Sequence, residues 1–280
     1  MSDSRSNRVR TLKVSRGVAD AAPSKPDRHF VTALARGLEL LACFRHGDRM
    51  LGNQDLARRC GLPKSTVSRL THTLTKLGYL VYVEESAKYS LGTATLSLGS
   101  AMLARLDIRK LAHGHMQELA DFSQCLVSLG TRDRLSMIYI DVVRGPAAVT
   151  LSLDLGSRIQ ICTSAMGRAY LTAVPEAERL DILRRVRELA ADGSRPGLEA
   201  GVAQALQDIR DLGVCCSFGE WQKDVNAIGV PVRPGGGLPP MAINCGAPAY
   251  RASKEFLLEK VRPRLIALAH DLEVSLGTAD

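Results

Sequence analysis

The sequence predicts an α/β multidomain protein: an N-terminal winged helix-turn-helix, a linker helix, and a C-terminal mixed α/β domain around a single sheet. Three observations predict it. Gln54–Leu80, QDLARRCGLPKSTVSRLTHTLTKLGYL, reads as two short amphipathic helices joined by a tight turn. Two β-rich segments, Tyr79–Val83 and Lys88–Leu91, follow at once, with the polar stretch EESA turning between them. Beyond residue 108, short β-rich runs are interleaved with helical patterns.

Residues 1–28 are polar, lack periodicity and contain Pro23 and Pro26, which predicts a disordered basic tail. Its Arg5, Arg8, Arg10, Lys13 and Arg16 either touch phosphates or stay solvated. Residues 29–92 form the first domain. From His29 to Phe44, Val31, Leu34, Leu38 and Leu41 follow a 3-4-3 spacing, predicting a first helix whose stripe packs on the next two. Asn53 suits the N-cap of the helix carrying Gln54 to Arg59, with Leu56 and Ala57 as its apolar edge. Gly61 permits the turn that ends it, and Leu62 fills the crook. Pro63 stands just ahead of the next helix, where a missing amide donor does little harm. Ser65 or Thr66 can cap that helix, and Val67, Leu70, Leu74 and Leu77 make its inner stripe.

Residues 93–107 read as the linker helix, and Asp107 marks a restart. The apolar surface between Leu96 and Leu106 exceeds what a solvated linker needs, so a partner subunit is expected there. In the last domain, 108–280, strands are predicted at Leu126–Leu129, Ser136–Val142, Ala147–Leu151, Val214–Phe218, Ala227–Val232 and Met241–Cys245. Helices are predicted from the segment CTSAMGRAYLTAV, at Pro175–Ala190 and at Ala203–Leu212, with a loop at Gly193–Gly197. A last helical stretch, Ser253–Leu276, is expected to break near Pro263. No GxGxxG fingerprint appears.

The formal net charge is +8, and all of it lies in residues 1–92, which hold 16 Arg and Lys against 8 acids; the remainder holds 21 of each. A basic module joined to a neutral one points to nucleic acid at one end and a different partner at the other. No run of eighteen apolar residues exists, so no membrane span is expected. No apolar segment follows the N-terminal arginines, which argues for the cytoplasm rather than secretion. The seven cysteines show no CxxC and no ligand spacing with histidine. They read as free thiols in a reducing compartment, with no metal or other cofactor expected.

No acid occurs from Lys64 to Leu80. The outer face of that helix is polar and basic, the composition wanted for entry into a groove of double-stranded DNA. Arg69 is the first candidate for a guanine or phosphate contact. Lys64, Ser65, Thr66 and Ser68 lie near the helix start; Ser65 and Thr66 serve as positioning contacts as readily as specific ones. Thr71, Thr73 and Thr75 alternate, so Thr73 is the groove candidate, and Lys76 extends the basic face. Lys88 and the hairpin tip reach toward the DNA backbone, while Glu84 and Glu85 argue against deep insertion.

In the last domain, the helix-start amides of Thr163–Gly167, with Ser164, Ala165 and Gly167, suit an anion without a charged side chain. Asn244 and Cys245 offer polar atoms at a strand end, and Glu220, Trp221 and Asn226 lie in a loop able to close one side. A capped helix with an interfacial Trp is the structural alternative. HExxH, GxSxG and P-loop motifs are absent. Buried thiols are the plainer account of Cys162, Cys215, Cys216 and Cys245; an oxidant-sensing Cys215–Cys216 pair is the other. A binding protein is therefore expected rather than an enzyme, with a small-acid-metabolising enzyme fused to a DNA-binding domain as the rival.

The segments ALARGLELLACF, DLARRCGLPKSTVSRLTHTLTKLGYL and YSLG resemble the IclR family of bacterial transcription regulators. So do IYIDVVRGP, SLDLGSRIQICTSAMGRAYL, IRDLGVCCSFGEWQKDVNAIGVPV and MAINCGAP further on. The resemblance spans about residues 30–275 and implies a C-terminal effector-binding domain of GAF-like topology. It also implies a homodimer or homotetramer on a palindromic operator, acting as repressor or activator, with repression expected. The implied effector is a small organic or aromatic acid, held by positions matching Ser164, Ala165, Met166, Gly167, Ala227, Asn244 and Cys245. Apolar Ala227, and Ile243 at a commonly polar place, imply a ligand larger or less polar than a glyoxylate-like acid.

Overall fold

Gly61 adopts φ +68°, a left-handed conformation that side chains resist, and so ends one helix and aims the next. In a computed structural model, α1 (Thr32–Ala42), α2 (Asn53–Cys60) and α3 (Lys64–Lys76) precede a hairpin of β1 (Leu80–Val83) and β2 (Lys88–Leu91). The structure describes residues 29–45, 47–104, 107–146, 151–190, 195–235 and 238–277, so the expected basic tail lies outside it. Two compact units divide after Met102.

The first unit is a winged helix-turn-helix around Leu40, Leu51, Leu56, Val67, Leu74 and Leu80. The hairpin pairs antiparallel from Leu80↔Leu91 to Val83↔Lys88, and Leu51 bridges to Tyr89 as a third short edge. Three local expectations are corrected. Gly52, not Asn53, caps α2, because Asp55 reaches back to the Gly52 amide at 3.2 Å. Pro63 holds the cap position of α3 and its carbonyl accepts from Val67, so Ser65 and Thr66 lie inside the helix and cap nothing. Leu77, just past α3, is 60% exposed. Thr71 takes its place in the inner stripe, its hydroxyl bonded to the Ser68 carbonyl at 3.1 Å.

Of the expected stripe of α1, Leu41 packs against the core while the other three residues are turned outward. Val31, Leu34 and Leu38 are 61%, 61% and 57% exposed, while Gly37 and Leu40 are buried. Gly37 faces Leu70 of α3, where an added Cβ would make only an ordinary contact at 3.9 Å. α4 (Thr93–Ala104) carries exposed Leu96, Leu98 and Met102.

The first whole helix of the second unit is α5 (Asp107–Ser123), starting at Asp107 as expected. Its strands are β3 (Leu126–Asp133), β4 (Ser136–Arg144), β5 (Arg158–Gln160), β6 (Cys215–Phe218), β7 (Val225–Val232) and β8 (Met241–Pro248). They form one antiparallel sheet in the order β5-β4-β3-β8-β7-β6. The intervening helices are α6 (Ala165–Ala173), α7 (Glu176–Leu189) and α8 (Arg195–Leu212). α8 begins eight residues before the expected helix at Ala203, since Pro196 in a first turn removes no needed amide. Of the strand expected over Ala147–Leu151, 147–150 lie outside the described residues and Leu151 is in no strand. β5 was not anticipated. The C-terminal stretch runs as α9 (Lys254–Phe256), a π-helical turn at Leu257–Val261, and α10 (Arg262–Gly277). The wider turn falls just before Pro263, whose missing amide cannot continue the regular ladder.

Each face of the sheet buries its own core. One, with α5 and α10, gathers Met116, Leu129, Ile140, Ile228, Ile243 and Leu265; the other, with α6, α7 and α8, gathers Met137, Tyr139, Met166, Leu171, Ile182 and Ala205. α6 sits close on the strands because Gly229 lacks a side chain: a Cβ there would come within 2.7 Å of the Ala165 carbonyl. No described helix is long and apolar enough to cross a membrane.

Candidate nucleic-acid interface and ligand cavity

The inner stripe of α3 leaves the opposite face to solvent. Lys64, Ser65, Ser68, Arg69, Thr73 and Lys76 are exposed and Thr66 is half-buried. Thr73 donates its proton to the Arg69 carbonyl at 3.0 Å, leaving its oxygen as an acceptor. Ser68 accepts from Asn53 at 3.4 Å, which ties the start of α2 to α3. The arginines of α2 are differently engaged: Arg58 pairs with Asp55 at 2.5 Å, and Arg59 with Asp48. Among the described residues Lys64, Arg69 and Lys76 pair with no acid. Their charge is therefore available to an external anion. Lys88 is exposed at the start of β2, opposite Val83, and Glu84 and Glu85 are exposed at the turn.

In the second unit a small cavity, with room for about one water molecule, opens at the start of α6. Tyr139, Leu151 and Ile159 form one wall, Ser164 and Ala165 the helix end, and Ser217, Trp221, Val225, Ala227, Asn244 and Gly246 the rest. None of these side chains is charged. Ser164 caps α6, accepting from the Gly167 amide at 3.1 Å and donating to the Gln160 carbonyl at 2.5 Å. Ser217 donates to the Thr163 carbonyl at 2.7 Å. The Tyr139 hydroxyl faces Asn244 and Ser128, and burial pushes its acidity constant upward, so it stays a neutral phenol. Ser128 Oγ and Asn244 Oδ1 are buried without a well-formed hydrogen bond.

Of the residues singled out in sequence, Ser164, Ala165, Trp221, Ala227 and Asn244 come together at this cavity. Met166 and Gly167 do not line it. Met166 packs beneath against Gly130, and Gly167 lies against the Ile161 backbone. Cys245 is on the other face of the sheet, its Sγ 3.6 Å from Ser123 Oγ. Strand side chains alternate, so its neighbour Asn244 faces the cavity and Cys245 cannot. Ile243 likewise faces α5 and α10 and does not touch this cavity. Asn226 belongs to β7 and donates to the Ala252 carbonyl at 3.0 Å, away from the cavity.

Glu220 stands behind the wall. Its carboxylate grips Arg168, a residue 2% exposed whose guanidinium also donates to the carbonyls of Cys162 and Cys216 at 3.1 and 2.7 Å. This clamp anchors the residue next to Trp221. Sequence reasoning missed Tyr139 and Ser217; the signal was a polar-capable residue within each strongly apolar strand. Burial pushes the Cys162 thiol up to about 11, and Cys215 and Cys216 up to about 12, so none of the three is a ready nucleophile near neutrality.

Residues 100–274 match the model of the bacterial transcriptional regulator IclR C-terminal domain, and residues 33–84 match the IclR helix-turn-helix domain. The chain is 32% identical over 253 residues to the HTH-type transcriptional regulator TsaQ1/TsaQ2 of Comamonas testosteroni, covering 89% of this chain and 90% of that protein. An IclR family transcriptional regulator from Brucella abortus, known from its crystal structure, is similar with a TM-score of 0.81 and 43% identity, over 94% of this chain and 97% of that one. An IclR homologue from Microbacterium hydrocarbonoxydans, crystallised with 4-hydroxybenzoate, shares the fold with a TM-score of 0.69 and 21% identity, over 89% of this chain and all of that one. Both modules, in the order the residues predicted, place this chain in the IclR family of bacterial transcriptional regulators, DNA-binding proteins built from a helix-turn-helix and a mixed α/β effector domain.

Proposed function

We propose that two copies of this chain bind a palindromic operator as a repressor, α3 of each entering the major groove, and that a small organic or aromatic acid in the second unit modulates that binding. The observation that carries the reading is the set of unpaired cations on the outer face of α3, beside an α2 whose arginines are neutralised. Lys64, Ser65, Thr66, Ser68, Arg69, Thr73, Lys76 and Lys88 are the proposed contacts, the lysines mainly to phosphate and Arg69 to a base edge as well. Exposed Val31, Leu34 and Leu38 on α1, with Leu96, Leu98 and Met102 on α4, support a homodimer, since scattered surface apolar residues rarely cluster along two helices. A homotetramer would be two such pairs. We place the linker at 93–107 and the effector domain, of GAF-like topology, at 108–280, and the protein in the cytoplasm.

For the effector, Ser164, Ala165, Ala227 and Asn244 are the proposed wall contacts. Asn244 Oδ1 is a buried acceptor suited to a ligand hydroxyl or protonated acid. With no cation in the wall, a carboxylate would rely on the first-turn amides of α6. The ligand must prefer one arrangement of the paired DNA-binding units, which makes operator and effector affinities reciprocal. Selection of bound duplexes from a random pool, followed by a salt titration of wild type and Arg69→Ala, tests the DNA reading. Arg69→Ala is expected to lower operator affinity by roughly 5- to 150-fold. Unchanged affinity removes Arg69 from the role, and failure to enrich any sequence removes the function.

A further inference from the structure

The helix-turn-helix brings two thiols together. Cys43 follows the last residue of α1, and Cys60 ends α2 immediately before the Gly61 turn. Their Sγ atoms lie 2.8 Å apart, about 0.8 Å beyond the length of a disulfide bond. Both are half-buried, so a small solute reaches them; the other five cysteines are buried. The surroundings hold charges of both signs, Arg45 and Arg59 against Asp48 and Glu39. Arg59 donates to the Cys43 carbonyl at 2.8 Å while also pairing with Asp48, and Arg45 stands nearby.

The two thiols are unlike. The bond from Cys60 holds the Cys43 thiol below its ordinary range, with Arg59 and Arg45 pulling the same way against burial and Glu39. The same bond, with burial, pushes Cys60 up. One sulfur is disposed to be the thiolate and the other to keep its proton, the division found where a nucleophilic cysteine sits beside a resolving one.

We propose that Cys43 and Cys60 form a peroxide-reactive dithiol, Cys43 attacking and Cys60 resolving, which closes to an intramolecular disulfide inside the helix-turn-helix unit. In the first step the Cys43 thiolate attacks one oxygen of hydrogen peroxide. The O–O bond breaks, hydroxide leaves and takes a proton to become water, and Cys43 becomes a sulfenic acid. In the second, the Cys60 sulfur attacks the Cys43 sulfur. The S–O bond breaks, and the departing hydroxide takes the Cys60 proton as a second water. Two thiols lose two electrons in all, and one peroxide becomes two waters. Closure needs less than 1 Å of sulfur movement. The bond ties the C-terminal end of α2 to the end of α1 and restricts the unfolded chain. This chemistry requires no DNA and stands apart from the operator reading.

The test treats the full chain with equimolar hydrogen peroxide, blocks remaining thiols and maps the peptides. Wild type is expected to lose two of its seven titratable thiols, reversibly with dithiothreitol, through one cross-link between the Cys43 and Cys60 peptides. C60S is expected to trap a sulfenic acid on Cys43 that dimedone labels, and C43S to give neither label nor cross-link. The melting midpoint should rise by several degrees on oxidation in wild type but not in C60S. A cross-link at Cys215–Cys216 or Cys125–Cys245 instead, one between chains, equal labelling in both single variants, or no thiol loss would each overturn the proposal.

Discussion

The outer face of α3 and the cavity at the start of α6 treat polar side chains in opposite ways. On α3 the cations Lys64, Arg69 and Lys76 are exposed and, among the described residues, pair with no acid. Around the cavity the polar side chains are uncharged and largely buried, and its two serine hydroxyls are bonded to the backbone. The difference follows from the two kinds of partner. A polyanion is held by releasing counterions, which works with mobile side chains and tolerates small misplacements. A small molecule offers few contacts, so its site must be set in place before the ligand arrives. Substitutions should accordingly separate binding from stability on α3 and couple the two around the cavity.

Arg168→Met is the most damaging change expected. It leaves the Cys162 and Cys216 carbonyls and Glu220 without their shared donor, and should lower unfolding stability by about 3 kcal/mol in urea titration. A loss as small as that of an ordinary surface arginine would erase the contrast. Arg69→Ala should leave stability within about 0.5 kcal/mol while weakening operator binding, because the side chain supports nothing inside the fold. Asn244→Leu sharpens the comparison from the other side. Removing the amide that faces the Tyr139 hydroxyl should cost about 1 kcal/mol of stability, while the affinity for an acid effector, read by calorimetry, should fall about 10-fold.

The smallest effect concerns Asp48. The hydrogen bond from Arg59 holds its carboxyl below the usual carboxylate range, with the Arg45 amide and both arginine charges acting the same way. Its contribution is thus fully present above the unfolded value of 3.8 and is lost as pH falls through the lowered folded value. Asp48→Asn should be less stable than wild type near neutrality and converge with it in acid, measured as unfolding midpoints from pH 6 downward. A constant difference across that range would show that the ion pair is not the source.

Several particular readings show where legibility ended. The inner stripe of α3 was readable because Val67, Leu70 and Leu74 are flanked by polar residues, so only one face could turn inward. α1 was misread because it has two candidate stripes. Periodicity reports a face only when the alternative is polar, and packing in this unit chose the face of Gly37 and Leu40. The cavity was half legible: the small residues after Cys162 and the pair Asn244–Cys245 drew attention to the right strand and helix. Which of two adjacent residues faces the ligand is a matter of register, however, and a one-residue difference inverts it. Tyr139 and Ser217 come from strands far apart in the chain, and nothing in either segment announces the other.

Local pattern and composition were enough for the module order, the helix-turn-helix with its outward basic face, the confinement of excess charge to residues 1–92, and the family. All of these depend on near neighbours along the chain or on counting. The facing of α1, the burial of Arg168 against Glu220, the wall that joins Tyr139 to Asn244, and the meeting of Cys43 with Cys60 required the folded chain. Each depends on where distant segments stop when they pack, and close packing, not periodicity, sets that position.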